Sequence, residues 1–197
     1  MEKIIILGKG GHAKSIADVI ERQGIYQIAG YIVNGDTSDS ESEEYPVIGR
    51  DEDLKEIYQS GIHNVAIGIG FLGKSTLRKR IYEMLKEIGY FLPVICDPSA
   101  LISKSAVIEE GSFVGKGAIV NAGAKIKKVC IVNTGAIIEH GCRVGDFSHI
   151  AVGAVLCGDV CIGCETLIGA NATVIQGRIV GDQCIVGAGE VVRKNVR

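Results

Sequence analysis

The 197-residue chain has no tryptophan, only three prolines, and ten Phe and Tyr residues in all, so ring packing cannot anchor its core throughout. It also lacks an excess of either charge. Lys+Arg 21 against Asp+Glu 23 leaves a net −2, which excludes the basic footprint of a nucleic-acid or anionic-membrane binder. The longest run of one sign, Asp39 to Glu44, is broken by serines and reads as a solvated loop. No stretch of eighteen apolar residues is present, so no membrane insertion is expected. Met1 leads directly into the strand-like Lys3-Ile4-Ile5-Ile6-Leu7, without a leader pattern. Seven cysteines, an odd number, then point to reduced thiols and a cytoplasmic protein. The length suits one or two domains with a core that needs neither metal nor disulfide.

What is present is unevenly placed. All three prolines and eight of the ten aromatic residues precede Ser99, whereas the 99 residues from there on hold Phe113, Phe147 and 15 of the 27 glycines. Written in sixes from Leu101, this second half reads LISKSA, VIEEGS, FVGKGA, IVNAGA, KIKKVC, IVNTGA, IIEHGC, RVGDFS, HIAVGA, VLCGDV, CIGCET, LIGANA, TVIQGR, IVGDQC, IVGAGE, VVRKNV. The second place is Ile, Leu or Val in all sixteen hexads, from Ile102 to Val192. A period of six fits neither the 3.6 of a helix face nor the two of a simple strand. It is the repeat of a hexapeptide β-helix, in which three hexads make one triangular coil and each aliphatic stacks on the one eighteen residues later. Ala, Ser or Cys at the sixth place suits a tight corner, and sixteen hexads make about five coils. A rod of this kind proves no chemistry by itself.

The first half alternates strands and helices: strands at 3–8, 26–33 and 64–69, helices at 12–23, 51–59 and 74–88, and a link at 89–98 with Pro93 and Pro98. This predicts a small Rossmann-like parallel α/β sheet with sites at the carboxyl ends of its strands. The expected domains are therefore 1–98 and 99–197. Gly8-Lys9-Gly10-Gly11-His12-Ala13 follows a strand and opens a helix, where bare backbone N–H groups receive phosphate. The acid that a dinucleotide site wants after the second strand is replaced by Val33-Asn34, and the domain has room for one mononucleotide half. A mononucleotide-bearing ligand, a dinucleotide and a structural turn remain the readings of this motif. Gly68-Ile69-Gly70-Phe71-Leu72-Gly73-Lys74-Ser75 has P-loop spacing, but one helix and a link follow it where a triphosphatase needs further strands and a Mg²⁺-binding Asp. Its helix N-terminus remains a candidate for a diphosphate.

Only His12, His63, His140 and His149 are available as imidazoles. The solenoid holds two of them, one short of a three-histidine zinc site, and Cys157, Cys161 and Cys164 fall on different walls, so no metal is expected. His140 is fourth in its hexad and His149 first in another. Neither stands at the inward aliphatic place, which leaves both for chemistry near neutral pH.

The motifs Gly10-Gly11-His12-Ala13, Asn133-Thr134-Gly135-Ala136-Ile137-Ile138-Glu139-His140 and Gly145-Asp146-Phe147-Ser148-His149, set in this order, resemble those of the sugar O- and N-acetyltransferases. These bacterial enzymes join a nucleotide-sugar-binding α/β domain to a left-handed β-helix and acetylate UDP-, GDP- or dTDP-linked 4-amino-sugars, with a sialic acid O-acetyltransferase branch. The resemblance spans essentially the whole chain. It implies acetyl-CoA as cosubstrate and the amine of a nucleotide-linked amino-sugar, a UDP-4-amino-sugar first, as acceptor. Sugar O-acetylation and non-catalytic nucleotide-sugar binding are the alternatives.

By that resemblance His140 is the base, Asn133 a supporting polar group and His149 a second active-site histidine near the thioester. Gly158 donates its N–H to the acetyl carbonyl, and Gly169, Ala170, Gly187 and Ala188 line the pantetheine groove. Gly10, Gly11 and His12 surround the diphosphate, while Asn34, Gly68 and Ile69 lie beside the nucleotide base. Three features depart from the family: Gly141 stands where an acid usually follows the base, Val33-Asn34 replaces an acidic pair, and no Gly-x-Pro-Ala tail precedes Arg197. A homotrimer is expected, with the active site between neighbouring solenoids, because a triangular prism has flat sides and two histidines half a coil apart cannot enclose a substrate.

Overall fold

The computed structural model describes residues 1–34, 44–73 and 76–197. Most of the acidic run and Lys74-Ser75 of the P-loop-like motif lie outside the described residues. Four parallel strands, β1 (Glu2–Leu7), β2 (Tyr26–Ile32), β3 (Val47–Gly49) and β4 (Asn64–Ile67), form a sheet in the order β3-β2-β1-β4. The helices are α1 (Gly11–Gln23), α2 (Leu54–Gln59), which continues a 3₁₀ turn at Asp51–Asp53, and α3 (Leu77–Ile88). Alternation along β1 explains the two layers. Ile4 and Ile6 pack with Ala13, Ile16 and Ile20 of α1, while Ile5 and Leu7 pack with Leu54, Ile81 and Leu85 on the other side. The edge strand β3 was not anticipated from the sequence, and its three residues are too few to show a period.

The remaining strands, two residues each, occupy the first two places of all sixteen hexads. One more, Ile95–Cys96, falls within the segment read as a link and pairs with Phe113–Val114. Partners stand eighteen residues apart, as in Ile131↔His149 and Ile137↔Val155, and build three parallel sheets of a left-handed β-helix. The first face carries Phe113, Ile131, His149, Leu167 and Ile185 outward; the second, Leu101, Ile119, Ile137, Val155, Thr173 and Val191; the third, Val107, Lys125, Arg143, Cys161 and Ile179. Second-place aliphatics from Val114 onward and sixth-place Ala118, Ala124, Cys130, Ala136, Cys142, Ala154 and Ala172 form the core.

The fifth place carries the turn. Every sixth residue from Gly111 to Gly189 has left-handed backbone, and eight of the fourteen are glycine, the residue with no Cβ penalty there. Val129 is the least expected of the others (φ 54°). Its carbonyl accepts a 2.8 Å hydrogen bond from the Nη2 of buried Arg78 on α3, whose Nη1 donates to the Ile69 carbonyl. The α/β domain thus docks on the first face, where Phe113 and Ile131 join the core of α1. Arg22–Asp97 (3.0 Å) and Lys116–Asp18 ion pairs tie its rim. Among the described residues, no helix is long and apolar enough to cross a membrane.

Candidate active site

Two regions gather the chemistry. The first is a cavity of about 300 Å³ at the carboxyl ends of β1, β2 and β4, lined among others by Gly8, Val33, Asn34, Asp51, Ile69 and Arg80. Gly8 has left-handed backbone (φ 94°), and a Cβ on Gly68 would lie 2.7 Å from the Leu7 carbonyl and from the Ala13 methyl, so both glycines let the strand ends and α1 close up. Gly10 caps α1, and a Cβ on Gly10 or Gly11 would meet nothing within 4 Å, which leaves the helix N-terminus open. Asn34 is clamped by Asp51: its amide donates to the carboxylate, and its oxygen accepts the Asp51 N–H at 3.1 Å. A carboxylate therefore stands at the end of β2 after all, brought from seventeen residues downstream. Only the pairing across the sheet reveals it.

After Ile69, which lines this cavity, the segment to Gly73 turns onto the solenoid. Phe71 is buried, and a Cβ on Gly73 would strike Ile185 at 2.5 Å. The carbonyl of Phe71 lies 2.7 Å from the Nδ1 of His149, and the Asn133 amide nitrogen lies 3.2 Å from its Nε2. The Phe71 carbonyl can only accept, so Nδ1 carries the proton and Nε2 receives the Asn133 amide. Burial, reinforced by Arg78, lowers the pKa of His149 against the opposing pull of that hydrogen bond. His12, edge-on to Phe113 at 5.1 Å, is pushed down to about 3, by burial first and then by Arg78 and His149. Its Nε2 has no partner among the described residues. Both imidazoles are neutral and belong to the domain seam.

The second region is the corner between the second and third faces. There His140 is exposed, and its ring nitrogens make no hydrogen bond among the described residues. Its ring lies over Gly158 one coil on: a Cβ on that buried glycine would stand 2.5 Å from both Cε1 and Nε2. The N–H of Gly158 is unused among the described residues, while its carbonyl accepts from Gly177. Glu139 takes the Asn121 amide at 3.0 Å and the His140 N–H at 3.3 Å, so its carboxylate serves the backbone and not the ring.

His140 and Gly158 are thus brought together, as are Asn133 and His149. The two pairs are not, because His149 sits on the face opposite the His140 corner. Gly169, Ala170, Gly187 and Ala188 lie on the corner between the first and second faces, stacked closely enough that a Cβ on Gly169 would stand 2.6 Å from the Ala188 nitrogen. Among the described residues, no group of three or more His, Cys, Asp or Glu side chains converges on a metal site. Sequence reasoning missed Asp51, Arg78 and the Phe71 carbonyl, none of which a local pattern marks.

Residues 3–85 match the family described as the PglD N-terminal domain. The whole chain superposes on PerB from Caulobacter crescentus, solved with CoA and GDP-perosamine, at 31% identity and a TM-score of 0.91, covering 100% of this chain and 91% of that one. The acetyltransferase domain of PglB from Neisseria gonorrhoeae, in complex with acetyl coenzyme A, matches at 33% identity and a TM-score of 0.89, over 99% and 92% of the two chains. WeeI from Acinetobacter baumannii shares the fold at 19% identity and a TM-score of 0.57.

Proposed function

The chain belongs to the nucleotide-sugar N-acetyltransferases of the hexapeptide-repeat family, and from that premise we propose that it moves the acetyl group of acetyl-CoA to the amine of a nucleotide-linked 4-amino-sugar. The observation that carries this reading is the exposed His140 imidazole resting on Gly158, whose own N–H is unused. A base and an oxyanion donor then face one space. The amine attacks the thioester carbonyl carbon and its proton passes to His140. The Gly158 N–H receives the developing oxyanion, and the C–S bond breaks to release CoA, whose thiolate takes up a proton. His149 has both nitrogens engaged and acts as a neutral brace between the domains.

In this reading the cavity between Gly8, Asn34 and Asp51 holds the nucleoside, and the open N-terminus of α1 at Gly10 and Gly11 the diphosphate. That site lies on the opposite side of the prism from His140. A neighbouring chain has to supply the missing half, and a homotrimer does so with closed symmetry. The second face supports this, being aliphatic from Leu101 to Val191, both exposed, at every outward place but Thr173, whereas the third carries Lys125 and Arg143. Seven unpaired cysteines suit the reducing cytoplasm, where acetyl-CoA is at hand.

The test is release of free CoA with a panel of UDP-, GDP- and dTDP-linked 4-amino-sugars, with sialic acid as the hydroxyl acceptor. Turnover on an amine and none on sialic acid is expected. Turnover on sialic acid alone would move the enzyme to O-acetylation, and binding without turnover would leave a nucleotide-sugar sensor.

A further inference from the structure

We propose that Asp159 is the positioning residue of His140, supplying from the next coil the carboxylate that Gly141 cannot. The inference rests on the reading of His140 as the base. The two side chains cross at one corner: the ring of His140 lies over Gly158, and the carboxylate of Asp159 lies back over Gly141, where a Cβ would stand 2.1 Å from its Oδ1. The Asp159 N–H also donates to the His140 carbonyl at 2.9 Å, which fixes the two backbones together. Neighbouring Cα atoms stand about 3.8 Å apart and neighbouring coils about 4.8 Å apart, so a side-chain rotation of the exposed ring spans the gap.

Three observations separate this carboxylate from ordinary corner packing. The left-handed places of this corner are Gly123, Gly141, Asp159 and Gly177, so Asp159 is the exception in its column. Other solenoid aspartates have backbone partners one coil below, Asp146 accepting the Lys128 N–H at 3.0 Å and Asp182 the Cys164 N–H at 2.7 Å. The Asp159 carboxylate has neither a hydrogen bond nor an ion pair among the described residues, and it is exposed beside an exposed imidazole. The other ionisable groups around this corner are Glu139, whose carboxylate is held by Asn121 and the His140 N–H, the thiols of Cys142, Cys157 and Cys161, and the guanidiniums of Arg143 and Arg178, the latter donating its Nε–H to the Gln176 carbonyl. Burial pushes Cys142 up to about 11, so its thiol is uncharged near neutrality. Asp159 is thus the unengaged anion. A general base works best when a third group orients it and stabilises its protonated form, as a carboxylate does for an imidazole.

The fold itself supplies the control. Asn171 holds the same left-handed fifth place (φ 56°) and lays its Oδ1 over Gly153 as Asp159 lies over Gly141, so Asp159→Asn keeps the corner and removes the charge. Two readouts are taken on the full-length protein: the split between kcat and KM, and rescue by Asp159→Glu, which the fold accepts because Glu165 holds a left-handed fifth place too (φ 52°). In Asp159→Asn kcat falls while both KM values hold, and Asp159→Glu restores much of it, because the charge is what orients the imidazole. The plateau kcat falls on the order of tenfold, less than for a buried triad acid because Asp159 is exposed. An Asp159→Asn protein with the wild-type plateau rate, beside an impaired Asp159→Ala, would reduce Asp159 to corner packing and overturn the proposal. Loss of activity in His140→Ala with no change in Asp159→Asn likewise defeats the proposal alone. Full activity in His140→Ala defeats the reading of His140 as base.

Discussion

The Nδ1 of His149 lies 2.7 Å from the carbonyl oxygen of Phe71, so a solenoid histidine is latched to a loop of the α/β domain. With Asn133 on its other nitrogen, this imidazole has no free lone pair for a substrate proton. Residues 133, 149, 71 and 78 form the joint between the domains, and the two halves of the chain are held as one body by polar contacts made under an apolar cover.

Acid should loosen that joint. His149 and His12 have lowered pKa values, the latter about 3, so both stay neutral in the fold while the unfolded chain takes protons below about 6.5. The unfolded state then binds more protons, and stability falls as pH drops from 6.5 towards the folded values. For His12 the slope is about 1.4 kcal/mol per pH unit, or a fall of about 3–6 °C in Tm between pH 6.5 and 5. In His12→Gln that part of the slope should vanish from thermal melts; an unchanged slope would mean that His12 is protonated in the fold.

Replacing His140 by Ala should lower kcat by roughly 10² to 10⁴ while the acetyl-CoA Kd hardly moves, as for a group used only in the transition state. Gly158→Ala gives a sharper reading. The three atoms nearest the new methyl all belong to the exposed His140 ring, which can swing outward, so the fold survives and the base is displaced. Each single change should cost much of the rate, and the double variant little more than His140→Ala alone. Additive losses in steady-state kinetics would show that the two residues act separately.

Charge on the second face should separate the protomers. Ile137 and Val155 are neighbours across paired strands and point outward from it. Ile137→Glu leaves the inward Ile138 in place, so the far-ultraviolet spectrum should be retained while light scattering shifts from trimer to monomer and CoA release is lost. A monomeric wild-type protein at micromolar concentration would sink the trimer outright.

Gly141→Asp should fail to strengthen the base, although sequence reasoning favours putting an acid there. Its left-handed backbone (φ 70°) costs a non-glycine residue about 1–2 kcal/mol, and the new Cβ would lie 2.1 Å from the Asp159 carboxylate, setting acid against acid. Thermal melting should drop by a few degrees and kcat should not rise. A gain in kcat would mean that the corner rearranges to accept both acids.

The solenoid was legible because one rule, an inward aliphatic every six residues, repeats sixteen times and makes one pairing register far better than its neighbours. The six-residue period also fixed which residues stack, so His140 over Gly158 follows from a separation of eighteen. What escaped was contact between segments with no shared period. The latch of Phe71 onto His149 and the clamp of Asp51 on Asn34 join a loop to a distant element through one or two hydrogen bonds, and no local pattern announces such a contact. His140 and His149 looked like companions because nine residues part them. Half a coil in a triangular prism carries a side chain from a corner to the opposite face.

The Asp51–Asn34 pair gives the final prediction. Asn34 spends one N–H and one lone pair on Asp51, which fixes its amide plane and holds the carboxylate at the mouth of the cavity. A carboxylate at the end of the second strand of a parallel sheet accepts hydroxyl or ring N–H donors from a nucleoside. Asp51→Ala removes that acceptor and frees Asn34, so the KM for the nucleotide sugar should rise about tenfold or more with kcat at saturation little altered, since the contact is the same in ground and transition states. Asp51→Asn keeps an oxygen acceptor and should fall between Ala and the wild type. The free nucleoside diphosphate should lose affinity in parallel by calorimetry, because the contact is made to the nucleoside and not to the sugar. If affinity for the diphosphate is unchanged in Asp51→Ala while that for the nucleotide sugar drops, the carboxylate faces the sugar, and the nucleoside has to be placed elsewhere in the cleft.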